Sequence, residues 1–202
     1  EALSNLAKFL DLQNGTNFYQ NLIEKRKKAQ ISWYEQKIPK IIFEPLNIEK
    51  ILETIKNFPY KLKATSTLHL LTGLRTEELF YLIKNFENLN KKEIFEGYLI
   101  ELLYIRKTKK AFFTFLHFDA IDFVFNSYKS KRTYWKKLKE YNFKAYNFRR
   151  AFESLYSNLR SHEIDLLQGR VSSNLVTSYT RDIENLAKKV FEVQKKVLEF
   201  LK

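Results

Sequence analysis

The segment LLQGRVSSNLVTSYTR, residues 166–181, is the stretch from which the rest of the chain is interpreted. It places Tyr179 nine positions after Arg170, with a Gly-Arg turn, a polar spacer and the start of an amphipathic helix. An arginine fork matches the geometry of a phosphate at two points. A tyrosine hydroxyl can attack phosphorus and hold the product as a covalent ester. The segment therefore predicts that Arg170 and Tyr179 meet at one phosphate, and that the remaining chain supplies further positive charge.

The overall charge favours an anionic partner. The 202 residues include 36 basic and 23 acidic side chains, a net charge of +13, and nucleic acid is the first candidate. A membrane surface is the alternative, but no segment approaches the roughly 18 uninterrupted apolar residues of a membrane span. Cysteine is absent, and three scattered histidines do not favour a zinc site. We expect a cytoplasmic, DNA-associated protein without a metal.

The first 45 residues predict a helical arm that precedes the main domain. They include the basic run Lys25-Arg26-Lys27-Lys28, which is either a solvated helix face or a linker along a phosphate backbone. Pro39 and Pro45 bracket an extended piece, so we place the main domain at residues 46–202. Methionine is absent even at position 1, which leads us to expect a chain that begins upstream.

The main domain begins with helical periodicity. Asn47 can cap a first helix, and a second helix over Leu62 to Leu71 ends at Gly73. Arg75 then lies at the corner before a third helix, where it is either an ordinary surface arginine or a functional one. Two apolar segments, YLIELLYI and AFFTFLH, flank the basic turn at residues 106–110 and predict a β-hairpin. The fold class is therefore mainly α with a small antiparallel sheet, or α+β.

Three later segments are informative, and two of them allow two interpretations. In KSKRTYWKKLKEY, basic residues lie among Tyr134 and Trp135, which suits either DNA backbone contact with stacking or a solvated face with two core aromatics. AYNFRRAFESLYSNL presents Arg149 and Arg150 near a helix start, which favours a bound anion. The amphipathic tail, residues 182–202, either covers its own core or docks on a neighbouring protomer.

Four segments in order resemble the catalytic domain of tyrosine recombinases, the phage-integrase family. TGLRTEEL, with Arg75 and Glu78, is similar to the family's first arginine box. The lysine-tipped hairpin lies where the family keeps its catalytic lysine. YNFRRAF is similar to the H-x-x-R box and puts Arg149 in the arginine position. LLQGR followed by Tyr179 in SYTR is similar to the L-G-H…Y-T box. The resemblance covers roughly residues 47–181 and implies the tyrosine recombinase catalytic-domain fold, preceded by the end of a core-binding domain.

Two positions depart from the family pattern. Tyr146 stands at the histidine of H-x-x-R, and Arg170 at the histidine of L-G-H. These replacements most resemble the integrases of archaeal viruses and plasmids, in which lysine and arginine often replace the histidines. A phenol with a pKa near 10 can donate a hydrogen bond to phosphate, although it is a poor base at neutral pH. The alternative is that Tyr146 is a packing residue and that Lys144 reaches in.

By this resemblance the chain is a site-specific DNA recombinase, or integrase. Tyr179 would attack a phosphodiester and form a 3′-phosphotyrosine with a free 5′-hydroxyl. Arg75, Arg149 and Arg170 would neutralise the charge that grows on the non-bridging oxygens. The phosphotyrosine stores the bond energy for religation, so the resemblance implies no cofactor.

The resemblance also assigns the leaving-group acid and the partners. A hairpin lysine would protonate the leaving 5′-oxygen, and we prefer Lys109 over Lys107 and Lys110.

The partners are a double-stranded DNA attachment site and further copies of the chain, assembled on DNA as a tetramer in which the C-terminal helix is a candidate contact. Residues expected to contact DNA are Lys107, Lys110, Lys129, Lys131, Arg132, Lys136 and Arg150. Two alternatives are a recombinase-derived protein that binds DNA without cutting it and a type IB topoisomerase-like strand transferase.

Overall fold

The computed structural model describes residues 2–28, 47–106, 109–170 and 182–202. The chain divides into two units, Glu1–Glu44 and Pro45–Lys202, and each is described separately below. This division falls beside the boundary after residue 45 that the two prolines predict.

The first unit contains two helices, α1 (Ala2–Asn14) and α2 (Phe18–Lys28). Gly15 connects them with a positive φ of 63°. The Asp11 carboxylate accepts hydrogen bonds from the backbone N–H groups of Phe18 and Tyr19, which are among the unpaired donors at the start of α2. The basic run ends α2, so the described part of this run is helical.

The second unit opens with three helices, α3 (Ile48–Lys56), α4 (Tyr60–Thr72) and α5 (Thr76–Asn85). Asn47 caps α3 as predicted, because its side-chain oxygen accepts the Lys50 N–H at 3.0 Å. Gly73 ends α4 in the left-handed conformation at φ 60°. A Cβ at this position would lie 2.6 Å from the Phe152 ring, so both the backbone and the packing require glycine.

A three-stranded antiparallel sheet follows, in the order β1 (Lys91–Ile94), β2 (Gly97–Arg106) and β3 (Lys109–His117). The predicted hairpin is confirmed, because β2 and β3 pair from Gly97–His117 to Arg106–Lys109. A bulge between Glu101 and Tyr104 interrupts that register. The sequence analysis did not predict β1, whose charged sequence KKEI lacks the apolar alternation of a half-buried strand.

The remaining helices complete the domain. A 3₁₀ turn at Phe118–Ala120 leads into α6 (Ile121–Asn126), and these are followed by α7 (Lys131–Glu140), α8 (Ala145–Leu155), α9 (Ser161–Leu167) and α10 (Ile183–Leu201). The second unit is therefore mainly helical with a small antiparallel sheet, which confirms the predicted α+β class. No helix in the described part of the chain is both long and apolar enough to cross a membrane.

The C-terminal helix α10 packs on its own domain. Its apolar residues join a core cluster with Phe115 of the sheet and Phe152 of α8. At its centre Gln194 is buried, donates from Nε2 to the carbonyl oxygens of Leu71 and Phe115, and accepts the His117 N–H at 2.7 Å. Of the two interpretations of the tail, the structure therefore shows intramolecular coverage of the core. The buried residues of α10 are Leu186, Ala187, Val190, Phe191, Gln194, Val197, Leu198 and Leu201.

The central helix α4 buries a histidine. His69 Nδ1 lies 3.2 Å from the hydroxyl of Tyr134 on α7, and both side chains are buried. Burial lowers the pKa of His69 to about 3, so the imidazole is neutral in the folded protein. In the unfolded chain the same group titrates near 6.5. Between these two values the unfolded state binds more protons than the folded state, so stability rises with pH in that range.

We predict that this histidine makes the protein sensitive to mild acid. The free energy of unfolding should fall by about 1 kcal/mol between pH 7 and pH 5.5, since one group must gain a proton on unfolding. Urea unfolding at the two pH values measures the difference. His69→Gln should remove most of it, whatever its effect on absolute stability. An unchanged pH dependence in the variant would assign the acid sensitivity to other groups.

Candidate phosphate site

The corner between α4 and α5 fixes the first arginine. Arg75 is the residue before α5, and its backbone N–H donates to Glu78 Oε2 at 2.8 Å. Its Nη1 donates to Oε1 of the same carboxylate at 2.7 Å. Glu78 is buried, whereas the Arg75 side chain is 19% exposed. One carboxylate therefore caps the helix and orients a guanidinium that still reaches solvent.

Arg149 connects this corner to the end of α9. It lies on α8 and is buried. An arginine is almost never fully buried unless its guanidinium has partners. Its Nη1 donates to the carbonyl oxygen of Gly73 at 3.0 Å, two residues before Arg75. Its Nη2 donates to the carbonyl oxygen of Gln168 at 2.7 Å, two residues before Arg170. Two backbone carbonyls thus place the second arginine between the other two.

Arg170 follows the turn that ends α9. Gly169 has a positive φ of 60°, and the Arg170 backbone N–H donates to the carbonyl oxygen of Asp165 at 2.8 Å. The side chain is 39% exposed. Its guanidinium forms ion pairs with the carboxylates of Glu153 on α8 and Asp165 on α9. The third arginine is therefore at the surface, held by two acidic residues.

The three positive charges act on one another. Burial, and then repulsion from the Arg75 and Arg170 guanidinium groups, lowers the pKa of Arg149 to about 10. The carboxylates of Glu78 and Glu153 oppose this shift. At neutral pH Arg149 remains protonated, so a buried cation lies beside Arg75 and Arg170, whose charges are paired with Glu78, Glu153 and Asp165. A phosphate could relieve the repulsion, provided that it displaces the carboxylates that hold Arg170.

The structure thus brings together Arg75, Arg149 and Arg170, three of the six predicted catalytic residues. It adds Glu153 and Gln168, which the sequence analysis did not identify. Glu153 lies four residues after Arg149 on the same helix, a spacing that places two side chains on one face and could have indicated it. Gln168 was noted only as part of the LQGR segment.

The structure describes only part of the other predicted site residues. Tyr179 and Lys107 lie outside the described residues. For Lys109 and Lys110 the structure describes the backbone, which opens β3 opposite Arg106 and Ile105. Tyr146 is described, and its side chain is 64% exposed on the first turn of α8, three residues before the buried Arg149.

The predicted DNA-contacting residues of α7 and its flank differ in whether their side chains already have partners within the protein. Lys129 donates to the carbonyl oxygens of Ile83 and Val124, which gives it a structural role at two helix ends. Lys131 pairs with Glu77 and lies 4.8 Å from the centre of the exposed Trp135 ring. The remaining two, Arg132 and Lys136, are exposed, as is Arg150 on α8.

The core interpretation of the aromatic pair on α7 holds for Tyr134 but not for Trp135. Tyr134 is a core residue, whereas Trp135 is 47% exposed beside basic side chains.

Among the described residues, no group of three or more histidine or acidic side chains could hold a metal ion.

The chain matches no family model, no curated protein and no solved structure. The resemblance to tyrosine recombinases therefore depends on the sequence motifs and on the residues that the fold brings together.

We predict that Glu153→Gln increases the affinity for DNA, because it frees Arg170 from one of its two carboxylates. An exposed ion pair is worth up to about 1 kcal/mol, so the dissociation constant for a short fluorescent duplex should fall by up to about fivefold. Fluorescence anisotropy at low salt measures it. Glu192→Gln is the matched control, since Glu192 also pairs with a basic residue at the surface. An equal gain in both variants would show that only net charge matters.

Proposed function

We propose that this chain is the catalytic domain of a site-specific DNA recombinase of the tyrosine recombinase type, with that family's catalytic-domain fold. The observation that supports it is the pair of hydrogen bonds from Arg149 to the carbonyl oxygens of Gly73 and Gln168. These bonds bring together arginines from three separate sequence motifs, in the combination that the family resemblance assigns to a single phosphate.

In the proposed reaction Tyr179 attacks the phosphorus of a DNA phosphodiester. The new bond joins the tyrosine oxygen to phosphorus as the phenol proton passes to solvent, and the bond to the 5′-oxygen breaks. Arg75, Arg149 and Arg170 stabilise the charge that develops on the two non-bridging oxygens. A buried, prepositioned guanidinium is suited to this task because it does not have to reorganise during the reaction.

The leaving 5′-oxygen needs a proton, which we assign to Lys109 at the start of β3, with Lys107 and Lys110 as alternatives. A lysine near several arginines has a lowered pKa and gives up its proton more readily. Attack by a 5′-hydroxyl on the phosphotyrosine reverses these steps and rejoins the strand. Tyr146 would donate a hydrogen bond to the phosphate after a movement of its exposed side chain, and Lys144 remains the alternative.

The proposed partners are a duplex attachment site and other copies of the chain. The exposed cations Arg132, Lys136 and Arg150 would neutralise phosphates beyond the cleavage point. Assembly of four protomers on DNA would use surfaces other than the apolar face of α10, because that face is buried within its own domain.

A second candidate is a DNA-binding protein that no longer cuts. Two observations favour it: Tyr146 replaces a family histidine and is exposed, and Arg170 is occupied by Glu153 and Asp165. A third candidate, a type IB topoisomerase-like enzyme, would relax supercoiled plasmid without joining different strands.

We predict that Tyr179→Phe abolishes covalent capture of a nicked duplex that cannot religate. Binding should remain sensitive to salt with an unchanged dissociation constant, since the phosphate contacts stay. A denaturing gel measures the covalent product, and Tyr141→Phe is the control for loss of an exposed tyrosine hydroxyl. A wild-type protein that binds this duplex without capturing it would support the non-cleaving alternative.

We predict that Arg75→Ala lowers the rate of cleavage by about 10²–10³, the usual cost of removing one such donor. Arg160→Ala is a closely matched control. Arg160 also precedes a helix, and its backbone and side chain bind Glu163 three residues later, as Arg75 binds Glu78. Arg75→Ala should lower the melting temperature more than Arg160→Ala does, because Glu163 keeps its ion pair with Lys189 whereas the buried Glu78 loses Arg75. If both lose cleavage equally, or if neither does, Arg75 is a structural residue.

A further inference from the structure

Gln168 and Arg149 hold each other through two hydrogen bonds. The carbonyl oxygen of Gln168 accepts Arg149 Nη2 at 2.7 Å. In return, Gln168 Nε2 donates to the carbonyl oxygen of Arg149 at 2.9 Å. Gln168 is fully buried at the end of α9, where its own N–H bonds to the carbonyl oxygen of Ile164. The side chain of Gln168 thus holds its own backbone carbonyl against the Arg149 guanidinium.

The direction of the amide follows from its partner. A carbonyl oxygen can only accept, so the end of the amide that faces the Arg149 backbone must be the NH₂ group. The opposite end, Oε1, is then buried and has no hydrogen-bond partner within the described residues. An unpaired buried acceptor destabilises the folded state, and such groups call for an explanation other than stability.

A second buried glutamine, on α10, provides a contrast. Gln194 is equally buried, but its oxygen accepts one backbone N–H and its nitrogen donates to two carbonyl oxygens. Gln194 therefore contributes to stability with both ends of its amide. Within the described part of the chain, Gln168 uses one end of its amide only, and that end fixes the backbone on which Arg149 depends.

We propose that Gln168 is a positioning residue that holds the Arg149 guanidinium, through the Gln168 backbone carbonyl, in the orientation that receives a phosphate. This inference rests on the proposed function of the arginine site and adds a residue to it. Without the amide, the end of α9 is free to move away from α8, and one of the two carbonyls that orient Arg149 shifts with it. A displacement of about 1 Å at a reacting group can cost up to about 10² in rate.

Gln168→Leu tests the proposal because leucine is similar in size and cannot donate. The carbonyl oxygen of Arg149 keeps the partner that the helical ladder of α8 provides, so the variant leaves no new unpaired group there. We expect the single-turnover cleavage rate at saturating DNA to fall by about 10- to 100-fold. The dissociation constant for DNA should change by less than about twofold, since affinity is spread over many phosphates.

Gln194→Leu is the matched control. It removes three buried hydrogen bonds, so it should lower the melting temperature more than Gln168→Leu does, yet leave the cleavage rate of the folded protein unchanged. A merely structural role for Gln168 would give the same pattern in both variants, with loss of stability and normal cleavage. That result would overturn the proposal.

A second measurement separates this inference from the proposed function. The Nε–H nuclear magnetic resonance signal of Arg149 reports how well ordered its guanidinium is, and it can be recorded whether or not the protein cleaves DNA. The signal is assigned by its disappearance in Arg149→Lys. We expect a sharp signal in the wild-type protein and in Gln194→Leu, and a broadened or lost signal in Gln168→Leu. If the wild-type protein does not cleave DNA, the proposed function fails, and this signal still decides the positioning role. A signal that stays sharp in Gln168→Leu overturns the inference in either case.

Discussion

One guanidinium, that of Arg149, connects the parts of the domain on which the site depends. Its two hydrogen bonds join α8 to the corner after α4 and to the end of α9. Burying a positive charge is costly unless it is paired or hydrogen-bonded, and here both identified acceptors are neutral backbone carbonyls. The carbonyls do not cancel the charge of Arg149, so a buried cation remains between Arg75 and Arg170, whose own charges are offset by Glu78, Glu153 and Asp165. An oxyanion would therefore have to replace carboxylates of this group to be held by all three arginines.

The same local motif occurs twice with different surroundings. Arg75 with Glu78 and Arg160 with Glu163 have nearly identical capping geometry at the start of α5 and α9. Only Arg75 lies beside the carbonyl that Arg149 binds. The capping bonds therefore explain how each arginine is oriented, but not which one could act on a ligand. The difference arises from tertiary packing, in which α8 brings a second guanidinium to one corner only.

The sequence predicted the features that depend on local signals. Gly73 and Asn47 marked helix ends, and the two apolar segments on either side of the basic turn marked the hairpin, as the structure confirms. It did not predict the roles of Gln168 and Gln194. Each is a polar residue whose partners are backbone atoms distant in sequence, so no spacing rule could indicate them. The amphipathic pattern of α10 likewise indicated an apolar face without showing what that face would cover.

The most direct measurement of the central claim is the position of an oxyanion in a crystal of the protein soaked with tungstate, a phosphate analogue that anomalous scattering locates. The account predicts one ion within hydrogen-bonding distance, about 3 Å, of the Arg75, Arg149 and Arg170 guanidinium groups. It also predicts that Arg170 has turned away from Glu153 to reach that ion. An ion bound elsewhere, with Arg170 still paired to Glu153 and Arg149 bonded to its carbonyls alone, would contradict a shared phosphate site.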